Sequence, residues 1–171
     1  MEIFKTHIGS WSYPEENFLR IGGVPLFSGF MYAAVGSYLA RVNRVLHFRL
    51  TYYPRRRWTV LLAVLIYANF IAHHFLPDIR LALFLGAGLL FWRSAVHYRV
   101  WRWEHRMPLL LAFTLIALFL WIAENIGTLS GIWLYPDQLG AWRPVSLSKM
   151  GAWWLLMLLS WVLVTLVHPP S

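Results

Sequence analysis

Five long apolar segments, separated by arginines and prolines, set the strongest limit on how this chain can fold. They cover approximately residues 24–42, 58–75, 79–97, 107–125 and 150–167. Hydrophobic residues occupy 59% of the 171 positions, which is more than one soluble core of this size can bury. Because about 20 apolar helical residues cross the hydrocarbon core of a bilayer, the sequence predicts an all-α transmembrane bundle of about five helices in a single domain.

The third segment fits this prediction least well. Its strictly apolar stretch runs only from Leu81 to Trp92 and is followed by Arg93. The segment reaches across a bilayer only if the long side chain of Arg93 bends back to the headgroup region.

Basic residues are concentrated in two of the connections between segments. Six arginines lie within residues 41–57 and four within 93–106, which together account for ten of the 15 basic residues. By the positive-inside rule these connections face the cytoplasm, so the carboxyl terminus is also predicted to be cytoplasmic. The expected location is a bacterial inner membrane, and the expected partners of the +8 charge are membrane lipids. Nucleic acid is not an expected partner, since the arginines form no continuous face.

One seven-residue pattern occurs twice, with the copies 122 residues apart. The first copy is Glu2, Thr6, Gly9, Trp11, Tyr13, Pro14 and Glu15, and the second is Glu124, Thr128, Gly131, Trp133, Tyr135, Pro136 and Asp137. The pattern predicts two related halves whose motifs both lie outside the cytoplasm. Glu124 follows an apolar segment but Glu2 follows only Met1, so we expect longer relatives to carry additional helices at the amino end.

Polar residues at the outer ends of the second and fourth segments form the predicted site. Glu124 is the candidate general acid or base, and His73 and His74 are candidate assisting catalytic residues, since a carboxylate in a low dielectric has a raised pKa and can exchange a proton with histidine. The residues predicted to bind substrate are Asn69, Asp78, Arg80, Asn125, Thr128, Trp11, Tyr13, Trp133 and Tyr135.

Structural roles are open for the same residues. Glu124 could instead form a hydrogen bond with Thr128, or an ion pair with Arg80 or Lys149, and so hold two helices together. Adjacent histidines chelate a metal poorly from one helix, and no zinc signature or phosphate-binding glycine loop occurs, so we predict no metal site and can specify no cofactor.

Small residues recur every four positions in the first segment, at Gly29, Ala33 and Ser37. Such a stripe lets another helix approach closely. It allows either intramolecular packing or a homo-oligomer.

Several short runs resemble a known bacterial family. They are Phe4-Lys5, 9–15, 23–26, Met107-Pro108, 121–125, and Trp133, Tyr135, Pro136 and Gln138. Together they resemble the YoaT-like integral membrane proteins, a family of unknown function. The resemblance implies a polytopic bacterial membrane protein, with members longer at the amino end.

A more distant similarity links the paired Trp-x-Tyr segments to carotenoid hydratases and small membrane lycopene cyclases. The paired acids that follow the helix-starting proline in the cyclases are absent here after Pro25 and Pro144. A cyclase-type acid catalyst is therefore not expected at those positions, and the similarity serves only as the source of an enzyme alternative.

Two functions follow from these features. Two related halves with polar groups where they meet are typical of carriers, which predicts a transporter-like protein with a polar site near the outer face. The alternative is a membrane-embedded enzyme that uses acid/base chemistry on a lipid or isoprenoid.

Overall fold

The computed structural model describes residues 2–14, 18–73 and 75–168. In these ranges the helices are α1 (Glu2–His7), α2 (Leu26–Val45), α3 (Arg56–Ala72), α4 (Arg80–Phe91), α5 (Leu109–Leu129) and α6 (Leu147–Val167). The strands are β1 (Arg20–Ile21), β2 (Val24–Pro25), β3 (Arg49–Thr51), β4 (Ala95–Val100) and β5 (Trp103–Pro108), and Pro136–Gln138 form one 3₁₀ turn.

The prediction of an all-α bundle of five membrane helices is wrong, because the fold is mixed. Strands β1 and β2 form a small hairpin, and β3, β4 and β5 form a three-stranded antiparallel sheet in that order. Val100 pairs with Trp103, and the intervening turn places Trp101 at a φ of 55°. The sequence 95–108 mixes β-branched, aromatic and charged residues about this turn. From the sequence, only 95–97 and 107–108 are predicted as helix ends, with 98–106 as the connection between them.

The third predicted span is a short helix followed by a strand. Helix α4 has 12 residues and is therefore about 18 Å long, too short for a hydrocarbon core about 30 Å thick. Arg93 lies in the connection to β4, so it does not extend the helix. Helix α3 has 17 residues and begins with two arginines, Arg56 and Arg57.

Two of the described helices are long and apolar enough to cross a membrane. They are α5 and α6, each of 21 residues, and they correspond to the fourth and fifth predicted segments. Only 22% and 33% of their most apolar stretches are buried within the protein. The description of a polytopic five-span protein is thereby corrected to one with two candidate membrane helices.

The connections place different chemistry at the two ends of the helices. Helices α2 and α4 end, and α3 and α5 begin, next to the sheet of β3, β4 and β5. The opposite end carries α1, the β1–β2 hairpin, the turn between α3 and α4, and the loop between α5 and α6. Both copies of the repeated motif consequently lie at the end away from the sheet.

The core lies between α3, α4, α5 and α6. Its centre is made of side chains with almost no exposed surface, including Ile66, Ala87, Phe113 and Leu158. By contrast, Gly29 and Ala33 of the small-residue stripe on α2 are exposed. The stripe is thus not used for packing among the described residues, and self-association through it stays a prediction.

Phe113 and Phe119 test how the core stabilises the fold, because they lie on the same helix with opposite exposure. Phe113 is 1% exposed and Phe119 is 70% exposed. We expect Phe113→Ala to lower the free energy of unfolding by about 3–5 kcal/mol through lost burial and a cavity. The matched control, Phe119→Ala, should change it little. Thermal unfolding of the detergent-solubilised protein measures both, and equal effects would contradict this packing.

Candidate binding cavity between the repeated motifs

The two copies of the motif begin with the same helix ending. In the first copy the amide of Gly9 donates to the Thr6 carbonyl (3.1 Å) and that of Ser10 donates to the Lys5 carbonyl (2.9 Å). The equivalent bonds in the second copy are made by Gly131 (3.1 Å) and Ile132 (3.1 Å). Gly9 and Gly131 have φ values of +72° and +74°, a left-handed conformation that favours glycine after a helix. This conformation accounts for the glycine in each copy.

A tyrosine hydroxyl donates to the motif glutamate in each copy. Tyr13 donates to Glu2 Oε2 over 2.8 Å, and Tyr135 donates to Glu124 Oε1. Each tyrosine thereby folds the loop back on the helix end that carries its glutamate. Burial, followed by the hydrogen bond and charge of Glu2, raises the pKa of Tyr13, so its phenol stays protonated and keeps donating.

The tryptophans of the two copies differ. Trp11 donates its indole N–H to Glu2 Oε2 over 3.1 Å, whereas the donor to Glu124 Oε2 is Trp153 of α6, at 2.7 Å. The ring of Trp133 instead lies against Gly127, where an added Cβ would come within 2.6 Å of the ring. Glycine at position 127 is therefore what lets this indole lie against α5.

The copies also pair with each other. The amide of Ser12 donates to the carbonyl of Leu134 over 2.9 Å, and the amide of Leu134 donates back to Ser12 over 3.0 Å. Positions 12 and 134 are equivalent in the repeat, since they are separated by 122 residues. A local twofold axis relating the two motifs therefore passes through this antiparallel bridge.

A third equivalent contact lies on the face of each motif tyrosine. Tyr13 makes an edge contact with Phe27 of α2, with ring centroids 6.1 Å apart. Tyr135 is contacted by Lys149 of α6, whose ammonium nitrogen lies 3.9 Å from the ring centroid. Positions 27 and 149 are also 122 residues apart, so the repeat extends into the helices that follow the motifs.

A cavity of about 460 Å³ lies where the two copies meet α3, α4 and α6. Eight of the predicted site residues line it, namely Trp11, Tyr13, Asn69, His73, Arg80, Glu124, Trp133 and Tyr135. Residues far apart in sequence are thus brought to one space. Their assignment to substrate binding or catalysis stays a prediction.

Glu124 is the most buried carboxylate of the described residues, with 3% of its surface exposed. Its two oxygens accept hydrogen bonds from Tyr135 and Trp153, and an indole N–H can only donate. A buried carboxylate without such donors would be strongly destabilising. The predicted alternative in which Glu124 bonds Thr128 is replaced by this pair of aromatic donors.

The end of α3 and the start of α4 are tied together by Asn69 and Asp78. Asn69 donates to Asp78 Oδ1 (3.1 Å) and accepts from the amide of Ile79 (3.2 Å). Burial opposes ionisation of Asp78, but hydrogen bonds from Asn69 and Arg80 outweigh it and hold the pKa of Asp78 below its ordinary value. Asp78 itself does not line the cavity; its ion pair positions the Arg80 side chain that does.

Of the two candidate histidines, only His73 is among the residues that the structure describes. His73 lines the cavity, and its Nδ1 lies 2.9 Å from the carbonyl oxygen of Asn69, a contact in which only the ring nitrogen can donate. That bond leaves Nε2 as the ring's remaining polar atom. His74 lies outside the described residues.

Asn125 and Thr128, predicted to bind substrate, lie outside the cavity lining. Asn125 donates to the Trp121 carbonyl (2.8 Å) and accepts from the amide of Val145 (2.9 Å), which ties α5 to the segment leading into α6. Thr128 accepts from the indole of Trp142 over 3.2 Å. Both contacts are structural.

Sequence reasoning missed eight polar or aromatic residues that line the cavity, which are Glu2, Lys5, Ser10, Phe27, Phe70, Ser148, Lys149 and Trp153. Glu2 could have been found by applying the repeat offset to Glu124. Trp153 had been interpreted as a membrane-interface residue, and nothing in its local sequence distinguishes it from the other tryptophans. Within the described ranges, no three His, Asp or Glu side chains are grouped so as to hold a metal.

The hydrogen bonds of Glu124 predict that replacing its carboxylate lowers the stability of the protein. In Glu124→Gln one oxygen becomes an amide donor that faces a Tyr or Trp donor, and we expect a loss of about 1–3 kcal/mol in the free energy of unfolding. Glu104→Gln is the control, since Glu104 makes only an exposed ion pair with Arg49. Thermal unfolding of the two detergent-solubilised variants compares their stabilities. A Glu124→Gln protein as stable as the Glu104→Gln protein would contradict the hydrogen bonds assigned to Glu124.

Comparison with known proteins identifies the family of this chain. Over 164 residues it is 49% identical to the protein named "Uncharacterized protein YoaT" of Bacillus subtilis (strain 168), which covers 96% of this chain and 62% of that relative. The chain thus spans less than two thirds of that relative's length. No solved structure matches. The profile of the family described as "Protein of unknown function (DUF817)" matches residues 1–161, and the chain belongs to that family.

Proposed function

We propose that this protein is anchored in a membrane by α5 and α6 and binds an amphipathic small molecule in the cavity between the motif copies, as a transporter-like protein would. The observation that carries the proposal is the position of the cavity. It lies at one end of the two apolar helices, between two symmetry-related motifs.

The exposed surface of α5 supports a membrane environment. Its outward side chains include Leu115, Phe119, Ile122 and Ile126, all of which are exposed. The core helix of a soluble protein would bury most of such a stretch, whereas here only 22% is buried. A hydrocarbon phase would solvate this face.

The charges support one orientation. The sheet end carries most of the arginines, and rings of Trp58, Trp92 and Trp101 lie under the guanidinium groups of neighbouring arginines there. Arginine and tryptophan together are typical of the headgroup region on the cytoplasmic side. The motif end would then face outward and the carboxyl terminus inward.

The lining of the cavity fits an amphipathic ligand. Apolar side chains of Phe27, Ile66, Phe70, Leu120 and Leu155 form one part, and the polar groups of the motifs form the other. Its volume is in the range of small-molecule sites, about 300–1,000 Å³. Such a space would take a molecule with an apolar body and a polar head.

The hydrogen bonding of Glu124 favours binding over acid/base catalysis. A general acid or base must present an oxygen to the substrate within hydrogen-bond reach. Both oxygens of Glu124 already accept bonds from Tyr135 and Trp153. The enzyme alternative would require these bonds to break first, which makes a binding role the simpler function.

Cysteine labelling tests the membrane orientation, since the chain contains no cysteine of its own. Single cysteines at Ser130 and Arg102 report on the motif end and the sheet end. We expect a membrane-impermeant maleimide to label position 130 in intact cells and position 102 only after lysis. Labelling of position 102 alone in intact cells would show the opposite orientation. Purification of the protein from the detergent-free soluble fraction would contradict the membrane anchor.

A plug in the cavity tests the binding site. Ala152 lines the cavity, whereas Ala82 lies on an exposed face of α4. We expect Ala152→Phe to weaken binding of a fluorescent C10–C12 amphiphile by at least about tenfold, since the ring would occupy the ligand volume. Ala82→Phe is the control with the same added side chain. Titration in phosphatidylcholine nanodiscs measures both, and absence of saturable binding by the unmodified protein would overturn the proposed function.

A further inference from the structure

We propose that the amphiphile carries a negatively charged head group, held between the ammonium groups of Lys5 and Lys149 with Arg80 beside them. This inference rests on the proposed function and names the class of its ligand. The head group would be a carboxylate or a phosphate, since either supplies anionic oxygens to ammonium donors.

The distribution of lysine is the first observation. The chain has 15 basic residues, of which only two, Lys5 and Lys149, are lysines. Both line this one cavity, although they are 144 positions apart. At every other basic position the chain carries arginine. Lysine provides a compact charge with three rotatable donors, which suits a head group that is not held as a flat bidentate pair.

The surroundings of Lys149 are the second observation. Its ammonium group lies over the ring of Tyr135, 3.9 Å from the centroid, and the described residues offer it no hydrogen-bond acceptor. A partly buried ammonium with three unused donors is costly unless an acceptor reaches it. The cavity in front of Lys149 is where that acceptor would bind.

The environment of Lys5 is the third observation. Lys5 is only 4% exposed. Burial, followed by the positive charges of Lys149 and Arg80, lowers the pKa of Lys5 to about 8. Three cationic groups from α1, α4 and α6 therefore act on the same region, and an anion placed among them would relieve their mutual repulsion.

Acidic groups near the cavity are directed to other donors. Glu124 accepts from Tyr135 and Trp153, Glu2 accepts from Tyr13 and Trp11, and Asp78 accepts from Asn69 and Arg80. Each carboxylate is thus bound by neighbouring donors of the protein. The two lysines break the twofold relation of the motifs, and Glu124 and Asp137 attract the charge of Lys149 that we assign to the head group.

The asymmetry of the repeat supports this division. The position equivalent to Lys149 is Phe27, and the position equivalent to Lys5 is Gly127. Each half therefore contributes one ammonium group at a position where the other half has an uncharged residue. A head group bound at the local twofold axis would contact one lysine from each half.

Three ligands with the same chain test the charge of the head group. Decyl phosphate, decanoate and uncharged decanol are titrated against the protein in phosphatidylcholine nanodiscs at pH 7, by displacement of a fluorescent amphiphile. We expect at least one anion to bind at least about tenfold more tightly than decanol, and the two anions distinguish a phosphate from a carboxylate head. Equal affinity of all three would overturn this inference and leave the proposed function standing, whereas no displacement by any of them would overturn both.

Variants of Lys149 identify the residue responsible. Lys149→Met keeps the aliphatic length and removes the charge, so the preference for the anion over decanol should fall below about threefold. Lys149→Arg should keep the preference, and Arg143→Met, an exposed basic residue at the same end, should leave it unchanged. An undiminished preference in Lys149→Met would overturn the inference.

The pH dependence provides a second readout through Lys5. Its ammonium form is lost as pH rises through about 8, so anion affinity should fall between pH 7 and 9 while decanol affinity stays constant. Ionisation of the ligand would act in the opposite direction. The other ionisable groups lining the cavity are Glu2, Tyr13, His73, Arg80, Glu124, Tyr135 and Lys149. Lys5→Met should abolish the step at pH 8, and its persistence there would contradict the role of Lys5.

Discussion

A buried carboxylate that must be hydrogen-bonded is the constraint on which the motif end of this protein depends. Glu124 lies in a nearly solvent-free position, where an unpaired carboxylate would cost several kcal/mol. Tyr135 brings the loop after α5 back to that position, and Trp153 brings the first turns of α6 to the same oxygens. One side chain thereby joins two helices and the loop between them, and the cavity forms next to this junction.

The same arrangement in the first motif explains why the copies meet. Glu2 and Tyr13 repeat the bond between Glu124 and Tyr135, and the two loops then pair through equivalent backbone positions. The two motif loops, which a local twofold axis relates, enclose a space between them. Function would depend on where the symmetry fails, since substitutions at equivalent positions place the two lysines in that space without duplicating them.

The opposite end of the helices has a different physical role. There the central strand β4 of the antiparallel sheet pairs with β3 and β5, and the hairpin turn presents Trp101 and Arg102 outward. Apolar helix faces lie between this basic end and the motif end. The polarity along the helices is consistent with a protein that has one end in a negatively charged headgroup layer and a binding cavity at the other.

Some features of the protein could be predicted from its sequence alone. The repeat offset of 122 identified both motifs, because local backbone requirements such as the left-handed Gly9 and Gly131 must be met by particular residue types wherever the structure recurs. The segments corresponding to α5 and α6 were also found, since their uninterrupted hydrophobicity is a local property.

Only the tertiary structure decided the rest, because it depends on residues distant in the chain. Residues 95–97 pair with residues 49–51 on one side and with 106–108 on the other, and the first of these partners is distant in the sequence, where no local pattern records it. The partners of Glu124 were likewise decided by packing, since Trp153 has the same local signature as tryptophans at a membrane interface. Lys5 and Lys149 gained their shared environment only when the ends of four helices converged, because the field of one charge on another depends on distance in space and not along the sequence.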